Sequence, residues 1–213
     1  WGDDLFRTDI DYHIPAGALP RHFHRECPEP PIYKNYYILS EEHLQKWRQR
    51  LNALGEGLKI GINWRSAFQS AKRAAMYNYM TMDDLEPLFN LPGAILVNIQ
   101  YDECEEELKE AKEKYGTTIH NWSDLDQKDD LDQTAAMISQ LDLAIGVAAP
   151  LCIANNVGIQ GIRPNASSTM AREGEVVRSK MEYPCLMFNR HYKQSRKDLI
   201  QQVADFIQKH YLE

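Results

Sequence analysis

No stretch of this 213-residue chain approaches the ~20 consecutive apolar residues of a membrane-crossing helix, so no membrane span is expected. The amino-terminal W-G-D-D lacks the basic-then-apolar order of a signal peptide. Cysteine is scarce. Cys27, Cys104, Cys152 and Cys185 are widely spaced and form no C-x-x-C pair, which argues against a zinc site or disulfide frame and for a reducing, cytoplasmic setting. Positive charge is in deficit, with 24 Lys and Arg against 31 Asp and Glu and a formal charge of -7. A general nucleic-acid binder wants the opposite balance, although one small cationic pocket remains compatible. G-x-S-x-G, Walker A and G-x-G-x-x-G patterns are missing, as are internal repeats and low-complexity segments. His22 and His24 have H-x-H spacing but no evident third or fourth ligand, so they read as surface histidines and no metal is expected. Cys152 has no histidine nearby in sequence to activate it as a nucleophile.

What is present is an ordinary globular composition, 43% hydrophobic and 26% charged. Residues 1–38 lack periodicity and are rich in Pro, His, Arg and aromatics, and they read as an extended connector arm. Trp1 in place of an initiator methionine reads as a fragment, a processed product or a trimmed chain, with an upstream domain possible. Residues 39–213 read as one α/β domain. Ser40 caps a helix that ends at Gly55, with Leu44, Trp47, Leu51 and Leu54 on one face. Strands are predicted over 58–62, 94–99, 117–121, 143–147, 159–163 and 185–188. Helices follow from Thr81-x-x-Asp84, Asp102-x-x-Glu105 and Asp130-x-x-Gln133 capping boxes, from the small residues of 151–157, and from Ser195 with its Leu199, Val203, Phe206 and Ile207 face. Residues 164–182 read as a polar, mobile stretch. Strand and helix alternate, which predicts a Rossmann-like parallel sheet with helices on both faces and right-handed connections.

Such sheets bind ligands beyond the carboxyl ends of their strands. Trp64-Arg65-Ser66 follows the first strand. Arg65 can grip a phosphate there, with Lys72 and Arg73 on the same loop, or the loop is simply solvated with Trp64 packed as a lid. Gln100 and Tyr101 follow the second strand and offer a polar edge and an aromatic face to a base, while Asp102 reads as the cap of the next helix. Asp132 lies in the first turn of a helix, where capping outweighs anion binding, and can accept from a sugar hydroxyl. Ala149, Pro150, Leu151, Cys152 and Asn155 belong to a small-residue turn and helix that either admits a ligand closely or packs tightly on the sheet.

Three spaced segments, G-I-N-W-R-S (61–66), P-G-A-I-L-V-N-I-Q-Y-D (92–102) and D-L-D-Q-T-A-A-M-I-S-Q-L-D-L-A-I-G-V (130–147), together resemble the carboxyl-terminal half of heptosyltransferase-like glycosyltransferases, in particular their bacterial tetratricopeptide-linked members. The arm D-Y-H-I-P-A-G-A-L-P-R (11–21) is similar to the connector before their second domain. The resemblance implies one half of a GT-B architecture, the half that binds a nucleotide-diphosphate sugar, with an upstream acceptor domain supplying the catalytic base. It implies that Arg65 with Lys72 or Arg73 faces the diphosphate, that Gln100 and Tyr101 lie near the nucleotide, and that Asp132 and the 148–155 turn border the sugar and phosphates. It implies no metal and no cofactor beyond the donor, because cationic side chains and a helix N-terminus stabilise the leaving diphosphate. The turn reading Ala148-Ala149-Pro150-Leu151-Cys152-Ile153-Ala154-Asn155-Asn156 departs from the family, lacking its histidine and helix-start glycines, and Ala67 stands where glycine is common. The alternative expectation is therefore a degenerate, non-catalytic relative serving as a binding or assembly module.

Overall fold

A computed structural model describes residues 11–15, 37–66, 79–147, 149–164, 176–178, 185–190 and 193–213. The chain divides into two compact units, Trp1–Ile32 and Tyr33–Glu213. In the first unit the described residues, 11–15, are exposed and form no helix or strand.

The second unit contains six α-helices and seven strands among its described residues. In chain order these are α1 (Glu41–Asn52), β1 (Leu58–Ile62), α2 (Met82–Phe89), β2 (Ala94–Asn98), α3 (Glu105–Tyr115), β3 (Ile119–His120), α4 (Leu131–Ile138), β4 (Leu143–Ile145), α5 (Ala149–Asn156), β5 (Gln160–Pro164), β6 (Val176–Arg178), β7 (Leu186–Phe188) and α6 (Arg196–Ile207). Most helices begin where a short polar side chain satisfies the orphan N–H groups of the first turn. Ser40 accepts from the His43 amide and Asp130 from that of Gln133. Thr81 with Asp84, and Ser195 with Asp198, form reciprocal boxes.

The strands join one sheet in the order β3-β2-β1-β4-β5-β7-β6. Every neighbouring pair is parallel except β6 with β7. Alternate residues on each strand face opposite ways, so each face collects its own core. Ile60, Ile62, Leu96, Leu143, Ile145 and Phe188 meet the apolar sides of α2, α3 and α6. Val97, Ile99 and Ala144 meet Trp47 and Leu51 of α1, the Ala135–Ile138 run of α4, and Leu151, Ile153 and Ala154 of α5. The sheet is doubly wound, and its strand order reverses between β1 and β4.

Three local expectations change. The helix α3 has Cys104 at its cap position, with no side-chain cap bond. Asp102 is drawn away to a guanidinium, and three glutamates, Glu105 to Glu107, supply the negative charge that the positive helix end favours. The stretch 164–182 contains the strand β6, an antiparallel edge strand on β7, and its remainder from 165 to 175 and from 179 to 182 lies outside the described residues. The strand β4 stops at Ile145, short of the expected 143–147, and Gly146, at φ 156°, follows it with its amide still donating to the Ile162 carbonyl of β5.

Candidate functional site

The strand tips align at one edge of the sheet. Ile62 is level with Asn98 on one side and with Ile145 on the other, and Val97 is level with His120. The segments leaving β1, β2, β3 and β4 therefore emerge together, and a row of amide side chains ties them to one another.

Asn63 sits one residue beyond β1 and is 1% exposed. Its Nδ2 donates to Gln100 Oε1 at 2.7 Å and to the Arg65 carbonyl at 3.0 Å, and its Oδ1 accepts from the Val147 amide beyond β4 at 3.0 Å. Gln100 Oε1 also accepts from the Trp64 and Arg65 amides, both at 3.2 Å. Its Nε2 donates to the Arg65 carbonyl and to Asp102. Asn98 Oδ1 accepts from the Gln100 amide at 2.8 Å, and Asn98 Nδ2 donates to Asn121 Oδ1 at 3.0 Å. Buried polar groups this fully paired hold the loops rigidly. Gly146 permits the close approach of β4 to β1, because a Cβ there would lie 2.4 Å from the Asn63 carbonyl oxygen.

Arg65 is 8% exposed. Its Nε donates to Glu107 Oε1 at 3.1 Å and its Nη2 to the Glu103 carbonyl at 2.8 Å. Ion pairs join Nη2 to Glu107 at 2.7 Å and Nη1 to Asp102. Burial opposes the charge of Arg65, but the hydrogen bond to Asp102 and the fields of Glu107 and Asp102 outweigh it and hold the guanidinium above its ordinary pKa.

Beside this network, at the carboxyl ends of β2 and β3, lies an open cleft of about 610 Å³. Its lining includes Asn98, Gln100, Asn121 and Gln127, the rings of Tyr101 and Trp122, and Asp102, Asp126 and Asp129 with Lys128. Trp122 is set edge-on against Trp47, with centroids 5.2 Å apart. Tyr101 donates its hydroxyl to Ser66 Oγ at 3.3 Å. Gln127 donates to the Asn98 carbonyl at 3.1 Å, and its buried Oε1 has no hydrogen-bond partner among the described residues. The Cys104 thiol, also on the lining, is pushed up to about 11, first by burial and then by Glu105, so it stays protonated near neutral pH. The surplus of carboxylates disfavours a phosphate inside the cleft. Amides and flat rings suit a base and its ribose.

The sequence-predicted residues are distributed unevenly about this edge. Gln100 and Tyr101 line the cleft. Trp64 is 1% exposed and belongs to the core against α2, α3 and α6. Asp132 is exposed in the first turn of α4. Ala149 opens α5 and is exposed, Pro150 and Leu151 are buried, and Cys152 is half-buried. Asn155 lies six residues further along α5, about 9 Å of helix rise from Ala149. It packs against Gly161, and its buried amide atoms have no hydrogen-bond partner among the described residues. Lys72, Arg73, Ala67, Ala148, His22, His24 and Cys27 lie outside the described residues. Asn63, Asn98, Asn121 and Glu107 were not singled out from the sequence. The available signal was an amide at the end of an apolar strand run, repeated at Asn63 and Asn98. Among the described residues no group of three or more His, Cys, Asp or Glu side chains is placed to hold a metal, and no helix is long and apolar enough to cross a membrane.

No protein-family model matches the chain. Protein FlbA of Caulobacter vibrioides is 36% identical over 129 residues, which are 60% of this chain and 21% of that protein, so the chain spans about a fifth of the relative's length. Among solved structures, E. coli ADP-heptose LPS heptosyltransferase II superposes with a TM-score of 0.51 at 13% identity, over 80% of this chain and 53% of the other. A glycosyl transferase family 9 protein from Veillonella parvula superposes with a TM-score of 0.48 at 15% identity, over 82% of this chain and 47% of the other. The chain has a heptosyltransferase-like, Rossmann-type α/β fold.

Proposed function

We propose that this chain is the donor-binding half of a glycosyltransferase that moves a sugar from a nucleotide-diphosphate sugar to an acceptor. The observation that carries the reading is the amide- and aromatic-lined cleft at the carboxyl ends of β2 and β3, on the ligand-binding edge of the sheet and one strand away from the point where the strand order reverses. The nucleoside occupies the cleft between Tyr101 and Trp122. The diphosphate extends toward the β1 and β4 tips, where Arg65 and the first turn of α5 face it, and Lys72 and Arg73 of the same sequence segment supply further positive charge. The sugar lies beyond, near Asp132. Residues 39–213 form the donor domain, residues 1–38 connect it to an upstream acceptor domain that supplies the base, and the reaction takes place in the cytoplasm.

Calorimetric titration with ADP-, UDP- and GDP-sugars tests this, with ADP-sugars first because one solved structure of like fold is an ADP-heptose LPS heptosyltransferase. One donor binds and perturbs tryptophan fluorescence through Trp122. No binding by any of them to the folded chain overturns the reading.

A second reading, a binding or assembly module without catalysis, is favoured by the double carboxylate pairing of Arg65. Under it a donor or bare nucleotide binds, yet the protein together with its upstream region releases no nucleoside diphosphate. Measured release with a sugar acceptor would eliminate it.

A further inference from the structure

The guanidinium of Arg65 is filled from within the chain. Nε and Nη2 converge on Glu107 Oε1, Nη1 is held by Asp102, and Nη2 also reaches the Glu103 carbonyl. Two carboxylates thus bracket the planar fork where the two oxygens of a phosphate would otherwise sit. The three partners come from one short segment, the approach to α3 and its first turn, whereas Arg65 belongs to the segment after β1. Asp102 and Glu103 also form part of the wall of the 610 Å³ cleft.

We propose that this cluster is a self-occupied anion site, an internal contact that keeps Arg65 unavailable until an anionic ligand displaces Glu107. The order of release follows from exposure and partners. The Glu107 side chain is 30% exposed and keeps water on one side, so it leaves with little loss of solvation. Asp102 is 17% exposed and is also gripped by Gln100 Nε2, so it stays. Trp64 Nε1, 3.5 Å from Glu107, adds only a weak restraint. The proposal rests on the reading above only in taking the ligand to be a phosphate ester.

The test is calorimetric titration of the full chain with inorganic pyrophosphate. Glu107→Gln keeps the side-chain shape and removes the competing charge, and it tightens pyrophosphate binding by about tenfold or more over the unmodified chain. Adding Arg65→Ala to Glu107→Gln cancels that gain, while circular dichroism shows the fold retained. Equal affinity of the unmodified and Glu107→Gln chains, a gain that survives Arg65→Ala, or no pyrophosphate binding by either chain overturns the proposal. Should Arg65→Ala fail to fold, Arg65→Lys replaces it, and the loss of bidentate geometry still lowers the gain. Failure here is separable from failure of the donor reading. Nucleotide-sugar binding without the pyrophosphate effect leaves the donor domain standing, and a pyrophosphate gain without nucleotide-sugar binding leaves the gate standing.

Discussion

Asn63 and Gln100 grip each other across adjacent strands, the Asn63 amide donating to Gln100 Oε1 at 2.7 Å with both residues 2% exposed or less. From that one oxygen Gln100 also satisfies the amides of Trp64 and Arg65. Truncation by Gln100→Ala leaves these donors buried without an acceptor. The expected cost is about 2–3 kcal/mol, given ~1–3 kcal/mol for an unsatisfied buried group and partial rescue by water. Urea unfolding checks it as a lowered midpoint with an unchanged slope.

Gly146 follows β4 and packs directly against Asn63. A Cβ there meets the Asn63 carbonyl oxygen at 2.4 Å and the Asn63 Cβ at 2.8 Å, both fixed atoms rather than flexible tips. Gly146→Ala is therefore expected to destabilise the domain by roughly 1–3 kcal/mol, the usual cost of forced overpacking. Ala substitution at Gly55, whose Cβ position is open, meets no such contact and loses only the ease of its φ of 96°. Thermal melts of the two variants should rank Gly146→Ala as the less stable.

Tyr101 lines the cleft, and its hydroxyl donates to Ser66 Oγ at 3.3 Å. If a base stacks on its ring, Tyr101→Ala weakens nucleotide binding by about 1–3 kcal/mol with little change in melting temperature. Trp122→Ala loses the edge contact with Trp47 as well, so it lowers both affinity and stability. A Tyr101→Ala chain that binds nucleotide as well as the unmodified one removes the ring from the site.

His120, at the tip of β3, has its pKa lowered by burial. The folded chain thus holds it neutral at pH values where the unfolded chain, titrating near 6.5, is already protonated. The unfolded state binds more protons, so this contribution to stability is complete above that value and is lost as pH falls through it toward the folded pKa. Chemical denaturation at pH 7.5 and 5.5 should show a smaller acid-side loss for His120→Gln than for the unmodified chain.

The parts legible in the sequence are those governed by near neighbours. Ser40, Thr81, Asp130 and Ser195 act on amides three residues away, so their helices are found where the caps stand. Apolar runs at 58–62 and 94–98 become neighbouring parallel strands because each is short, is bounded by polar or turn residues, and must be covered on both faces. Asp102 shows the limit of that logic. It stands in a plausible capping position, yet a guanidinium 37 residues away in sequence offers a stronger partner than a neutral amide. Glu107 likewise reaches Arg65 across 42 residues, from the first turn of α3. The edge strand β6 carried no usable pattern, since three residues pairing on one side have little periodicity to show.

Composition and periodicity by themselves determined the doubly wound α/β fold, most of the helix starts and the sheet edge at which the strand tips gather, because those depend on spacing along the chain. Only the tertiary structure decided that Arg65 is already paired, that Trp64 is core, and that an amide row joins the tips of β1 to β4. Each of these depends on which distant side chains the sheet order brings within hydrogen-bond reach.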